Sequence, residues 1–396
     1  MADPEPAQRP ATLDAQLDEL DAHIAELTAA DDPSQHFNPD LFDRINYQLG
    51  PVSYPDLTAR FLPRLGLILK KVAAAESAQA ESQAESTRGY PPPLITLTIK
   101  LLRPVPFTAA LELCQPSYLI TALQSPEEYI NALALAILEK AAASPSDASI
   151  LAATPGLLEA FLERWLLSPS VSVGHSGVLI LGDLLDVDCP LSQPVFTEDQ
   201  KACLDIRLVS RTAQGHGAVW RRLFGPGDSS LCWSLLHRLD ADLLPPSSTD
   251  PRAVAQRSYA QGRLLRLVPR LAVLDFQALT QCTAPVAAPA GSGPVSLLDF
   301  ATLHMVDRAG DELMRLTWAD YVMKLVGALR VADTARLSVE TLRRLVREAD
   351  DEGLREALWA MPDNLVWTPI GEGDAMRAWL RDLVPRSAMR IAGMQR

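Results

Sequence analysis

The sequence predicts an all-α chain organised as a HEAT- or armadillo-like helical-repeat solenoid. Three observations predict it. Apolar residues recur at three- and four-residue spacing through most of the 396 residues, strand-like alternation is scarce, and Pro preceded by Ser, Thr, Asp or Asn recurs where a helix would begin. In such a dipeptide the first side chain caps the free N–H groups, and proline fits the first helical turn because its missing donor has no partner there anyway.

The elements follow in order. Leu13, Leu17, Leu20, Ile24 and Leu27 form one helical stripe in an acidic N-terminal segment, residues 1–36. Residues 37–282 read as HEAT-like repeats, with helix starts at Asn38-Pro39, Ser125-Pro126, Thr154-Pro155 and Asp250-Pro251. After Ser125-Pro126 the stripe is Tyr129, Ile130, Leu133, Ile137 and Leu138. They are interrupted at residues 73–90, where Ala, Glu, Ser and Gln alternate from Ala73 to Thr87 without a large apolar side chain. That stretch predicts a low-complexity connection, at most a solvated helix. Shorter breaks fall at Pro190–Pro194 and Pro245–Pro251. An Ala/Pro/Gly loop at residues 283–294 precedes C-terminal helical repeats at 295–396.

One unit can be followed closely. Leu157–Leu167 is a first helix, Ser168-Pro169-Ser170 a tight break, and Val173–Leu185 a second helix whose small residues in GHSGVLILGDLL mark close packing; Asp186-Val187-Asp188 ends it. A looser echo runs from Arg330 to Val346, with Leu337, Leu342, Leu345 and Val346 as its stripe, at an imperfect period of about 40 residues. A compact multi-helix bundle shows the same periodicity and is the competing architecture.

Composition narrows the function. The net charge is −13, from 36 basic and 49 acidic residues, which opposes direct binding to nucleic acid or anionic membrane. Residues 1–50 hold 11 acidic residues against Arg9 and Arg44, so the remaining body is nearly neutral. No apolar run is long enough for a membrane span. Nothing at the N-terminus resembles a leader peptide, and the five cysteines, Cys114, Cys189, Cys203, Cys232 and Cys282, are unpaired by spacing. A chain in the cytosol or nucleus with reduced thiols is expected.

Motifs for chemistry are scarce. The histidines (His23, His36, His175, His216, His237, His304) have no metal-site spacing. Gly174-His175-Ser176-Gly177 departs from a nucleophile elbow at Val178, and Gly225-Pro226-Gly227-Asp228 lacks the lysine of a phosphate loop. TLRRLVR, Thr341–Arg347, is flanked by Glu340, Glu348, Asp350, Asp351 and Glu352 and reads as a salt-bridged helix face. The expectation is a non-enzyme that needs no cofactor and no metal. Trp220, Arg221 and Arg222 are the candidate partner-binding residues, because Trp and Arg are enriched in binding hot spots. The alternative places Trp220, Leu223 and Phe224 in the core at helical spacing, with both arginines solvated.

FNPDLFDRINYQL (Phe37–Leu49), HSGVLILGDLLDVD (His175–Asp188) and GHGAVWRRLFGPGD (Gly215–Asp228) resemble a fungal family of proteasome base-assembly chaperones. That family was first described as DNA mismatch repair proteins and is related to the animal proteasome non-ATPase regulatory subunit 5. The resemblance extends from about residue 37 to the C-terminus. It implies a curved HEAT-type solenoid that binds the C-terminal small domain of one base ATPase and associates with non-ATPase subunits. It also implies that the chain hinders premature docking onto the proteolytic core particle and leaves the finished particle. The runner-up reading is a generic HEAT-like protein-binding adaptor, since the fold does not fix the client. A DNA-repair factor is the third reading, opposed by the acidic balance.

Overall fold

The structure is a computed structural model that describes residues 11–49, 55–81, 91–225, 231–238, 250–281, 295–332 and 335–384. The regular elements among the described residues are all helices, without a β-strand, as the apolar spacing predicts. The Ala/Pro/Gly loop at 283–294 and the low-complexity residues 82–90 lie outside them. The chain packs as two compact units, one of residues 1–141 with 154–161, the other of residues 142–153 with 162–396.

The first unit contains α1 (Ala11–Ala29), α2 (Pro39–Leu49), α3 (Pro55–Glu81), α4 (Pro92–Leu102), α5 (Phe107–Leu113), α6 (Pro116–Gln124) and α7 (Glu128–Leu138). The acidic segment is an integral part of this core: Leu13, Leu17, Leu20, Ile24 and Leu27 are all buried. Its opposite face is matched by basic residues of the next two helices. Glu19 pairs with Arg44 at 3.4 Å and His23 Nε2 accepts from the Asn38 amide, so α1 and α2 run antiparallel. Asp18 pairs with Arg60 at 3.1 Å, Asp21 with Arg64, and Lys71 donates to the Thr28 carbonyl at 2.6 Å. The constant separation of 42 to 43 residues in these contacts means that α1 and α3 run parallel.

The same arrangement follows in α4 to α7. Thr58 at the start of α3 donates to the Leu101 carbonyl at the end of α4, an antiparallel pair. Lys140, just past α7, donates to the Arg103 carbonyl just past α4, which brings two C-termini together. Buried Asn131 closes the α6–α7 turn by donating to the carbonyls of Ala122 and Ser125. α3 stays helical through Glu81, so the start of the expected low-complexity connection continues a helix.

The second unit contains α8 (Pro145–Ala153), the part of α9 (Leu157–Leu167) from Leu162 on, α10 (Val171–Asp188), α11 (Glu198–Leu204), α12 (Ala218–Phe224), α13 (Leu231–Arg238) and α14 (Pro251–Leu274). It continues with α15 (Phe276–Gln281), α16 (Leu297–Asp299) running into a π-helical turn at Phe300–His304, α17 (Glu312–Val331), α18 (Ala335–Ala349), α19 (Glu352–Ala360) and α20 (Gly373–Leu383). α10 begins two residues earlier than its pattern predicts, because the Ser170 hydroxyl caps the Val173 amide. It also runs three residues further, so Asp186-Val187-Asp188 is its last turn rather than a terminator.

α10, α14 and α17 lie side by side and parallel. Arg263 of α14 donates to the carbonyls of Trp165, Leu166 and Ser170 at the α9–α10 turn, and Cys189 at the far end of α10 reaches the Leu274 carbonyl that ends α14. Ser258 of α14 meets Asp311 at the start of α17. Glycines in α10 make the approach possible. A Cβ at Gly174 would stand 2.0 Å from Arg263 Nε, at Gly182 2.3 Å from Arg270 Nη1, and at Gly177 2.7 Å from Trp165 Cδ1. In α17, Trp318 Nε1 donates to the Thr302 carbonyl and Tyr321 shares a hydrogen bond with the Thr302 hydroxyl, so both buried polar tips are satisfied on the π turn. TLRRLVR lies on α18, with Arg343 on Glu340 and Arg344 on Glu348, a salt-bridged face, while Leu342, Leu345 and Val346 are buried. The Leu337 side chain lies outside the described residues.

Two glycine substitutions should act in opposite directions. Gly177→Ala drives a methyl group into the Trp165 ring and should cost ~1–3 kcal/mol. Gly66→Ala in α3 meets nothing within 4 Å and should stabilise by ~0.5–1 kcal/mol. Urea unfolding of both variants checks the signs.

Asp21 generates a pH prediction. Burial raises its pKa, but hydrogen bonds and charge from Arg64 and Arg60 outweigh that and hold the carboxyl below its usual range. The stability from this pairing is therefore present above the unfolded value of about 3.9 and lost as pH falls through the lower folded value. Between about pH 5 and about pH 3 the urea midpoint of Asp21→Asn should fall less than that of the wild type; equal slopes would contradict the assignment.

Candidate interaction surface

After α10 the chain doubles back, and residues 189–217, including α11, form a strap across the parallel helices. Four anchors hold it. Asp186, fully buried, accepts from Arg211 Nε and Gln193 Nε2 at 2.9 Å on one oxygen, and from the Val209 amide at 2.8 Å and Arg270 Nη2 at 3.2 Å on the other. Asp183 accepts from Arg270 and from Arg207, each at 2.8 Å. Further along, Leu204 packs where Gly327 of α17 leaves no Cβ, and Asp205 lies 3.7 Å from Arg266 of α14 and 3.4 Å from Lys324 of α17. Last, Gln200 donates to Glu372 before α20 at 2.8 Å. Burial raises the Glu372 pKa, but Arg330 and Gln200 outweigh it and hold the carboxyl low.

The strap returns at Gly215, whose amide donates to the Cys189 carbonyl at 3.1 Å; a Cβ there would fall 2.1 Å from the Asp188 backbone. Gly217, at φ +69°, donates to the Asp188 carbonyl. The Asp188 carboxylate then accepts from the amides of Val219 at 2.7 Å and Trp220 at 3.3 Å and so starts α12. Burial pushes the Asp188 carboxyl above its usual range in spite of these backbone donors and nearby Arg221. The Ser149 hydroxyl contacts both the Pro145 carbonyl and His216 Nδ1, which ties α8 to the same turn.

These contacts correct the expectation for Trp220. The residue is 5% exposed and its Nε1 donates to the Leu185 carbonyl at 2.7 Å, which places it in the core, as the alternative reading has it. Arg221 and Arg222 stand exposed, the former donating to the His216 carbonyl. His175–Asp188 and Gly215–Gly225 are thus packed on one another. Pro226–Asp228 lie outside the described residues.

What the strap leaves open is the N-terminal half of the face formed by α10, α14 and α17. His175, Arg266, Asp205, Lys324 and Asp320 form a charged band next to the strap, each within 3.7 Å of the next. One to three turns before them on the same helix faces stand Val171, Tyr259, Leu313 and Leu316, which are 66%, 45%, 73% and 54% exposed. The Gly174–Arg263 and Ser258–Asp311 contacts put Val171, Tyr259 and Leu313 near one level, so they form an apolar band across three helices. Exposed apolar side chains beside a polar rim are the features that interaction surfaces share, which makes this band the candidate.

Among the described residues no three His, Cys, Asp or Glu side chains group to hold a metal ion. Cys114, Cys189 and Cys203 are free thiols. No helix among the described residues is long and apolar enough to cross a membrane. Comparison of the chain with protein-family models, curated proteins and solved structures returned no match.

Arg270→Ala should cost ~3–5 kcal/mol, because it removes a buried partner from two buried carboxylates. Arg207→Ala, at a half-exposed end of the same cluster, should cost within ~1 kcal/mol. Denaturant unfolding gives both values, and faster amide exchange in 190–215 for Arg270→Ala alone identifies the cluster as the anchor of the strap.

Proposed function

We propose that the chain is a non-enzymatic, protein-binding assembly chaperone with a HEAT-like solenoid architecture. Its client is an ATPase subunit of the proteasome regulatory-particle base, bound at the C-terminal small domain together with associated non-ATPase subunits. The bound chain sterically hinders early docking of that ATPase onto the core particle. The observation that carries a protein-binding role is the apolar band Val171–Tyr259–Leu313–Leu316 beside its charged band. Parallel neighbours one helix apart at near-constant sequence separation, as α1 and α3 are, fit stacked two-helix repeats, and such stacks offer extended binding faces. The choice of client rests on the resemblance of residues 37–49, 175–188 and 215–228. The packing of two of these segments supports a shared fold rather than a shared contact residue. A helical adaptor for a different client would use the same band, since fold does not determine ligand.

A tagged pull-down from dividing cells at moderate salt, compared with Leu313→Glu/Leu316→Glu, tests the proposal. Enrichment of base ATPases without the proteolytic core, reduced about tenfold or more by the double substitution, is the expected result. Recovery of unrelated clients through the same band would replace the proteasome assignment with the adaptor reading. Binding unaffected by the substitutions would remove the band from the account.

A further inference from the structure

The connection from α19 to α20 exposes three aliphatic side chains on a rigid turn. Leu365 and Val366 are each 66% exposed and Ile370 is 88% exposed. The backbone beneath them is tied down. The amides of Trp367 and Thr368 donate to the Asn364 carbonyl, that of Val366 to Asn364 Oδ1, and that of Glu372 to the Pro369 carbonyl. Thr368, buried, donates its hydroxyl to the Met361 carbonyl, and Cys203 of the strap donates to the Leu365 carbonyl. Such a turn loses little conformational freedom when a partner covers it.

The rim of this turn is acidic. Asp363 and Asp374, 71% and 98% exposed, share the single guanidinium of Arg377, which leaves one negative charge uncompensated. Asp199 of α11 adds another carboxylate close to Cys203. Burial, then the charges of Asp199 and Glu372, push that thiol up. Glu198 with Lys201 and Glu372 with Arg330 are internally neutral pairs.

We infer that residues 364–372 form a second docking point, for a partner segment that lays aliphatic side chains on Leu365, Val366 and Ile370 and a Lys or Arg on the rim of Asp363, Asp374 and Asp199. The rim argues against the other occupants: an anionic lipid surface would be repelled, and in a twofold contact between copies the like-charged rims would face each other. The residues of this contact are different from those of the apolar band, and the inference holds whatever client the band receives.

The probes are two synthetic fluorescein-labelled peptides of equal length, one of Leu, Val and Lys and one of Leu, Val and Glu, titrated with the full chain by anisotropy. The Lys peptide should bind, more weakly at high salt. Leu365→Ser/Val366→Ser/Ile370→Ser should weaken it about tenfold, and Leu313→Glu/Leu316→Glu should leave it unchanged. Should the triple variant melt early, Asp363→Asn/Asp374→Asn must reproduce the loss and flatten the salt dependence. Equal binding of the Glu peptide, or full binding by both variants, overturns the inference. So does sedimentation showing a dimer that the triple variant abolishes, which would make the occupant a second copy. Tighter probe binding by Arg386→Gln/Arg390→Gln would assign the turn to the chain's own basic C-terminal residues and overturn it too.

Discussion

Arg270 sits between Asp183 and Asp186 with almost no solvent to share the charge. Most of the second unit is arranged around that fact. A buried guanidinium is tolerated only with close carboxylates and well-formed hydrogen bonds, because removing an ion from water costs several kcal/mol. Gly182 supplies the space for it, and Asp186 is completed by Arg211, Gln193 and the Val209 amide of the strap. The strap is therefore the missing half of an ion cluster that α10 and α14 cannot satisfy by themselves. Arg263 repeats the device about two turns further up with main-chain carbonyls in place of carboxylates, filling the space left by Gly174.

The first unit handles charge in another way. Its acidic helix buries a leucine stripe and turns its carboxylates towards Arg44, Arg60 and Arg64 at partly exposed positions, where each pair contributes little but together they fix direction and register. Three of the carboxylates that set residues 1–36 apart in composition, Asp18, Glu19 and Asp21, are thus paired within the core unit. They mark a packing arrangement and do not define a separate module.

The helical class was legible because periodicity is a local property: the stripe of α1 is buried throughout, and in α7 Ile130, Ile137 and Leu138 are buried while Tyr129 is 49% exposed and Leu133 is only partly covered. Helix starts were legible from Asn38 and Asp250, whose side chains accept from the amides of Leu41 and Arg252, whereas α7 and α9 each start two residues past the prolines of Ser125-Pro126 and Thr154-Pro155. The interaction surface was not. An arginine in a helix reads as a solvated residue, and nothing local distinguishes Arg263 and Arg270, which are buried, from Arg266, which is exposed on the same helix. The available signal lay 80 to 90 residues earlier, in the glycines and the D-x-x-D-x-D spacing within an otherwise apolar α10. Trp220 was misleading for a related reason: its indole looks like a contact residue until the Leu185 carbonyl that receives its N–H is known. Exposed Leu313 and Leu316 follow the same helical period as core leucines, and only the absence of a neighbour over them sets them apart.

The strap also has a consequence for how the chain is made. Asp183 and Asp186 emerge from the ribosome 87 and 84 residues before Arg270, and Arg211 and Val209 emerge between them. At synthesis rates of about 5–20 residues per second, α10 spends on the order of ten seconds with an apolar face and two carboxylates awaiting their partner. During that interval it cannot reach its final burial, and the second unit closes late, only after α14 arrives. The slowest and most aggregation-exposed stage of biogenesis should therefore fall between α10 and α14, and a delay in translation there would lengthen it.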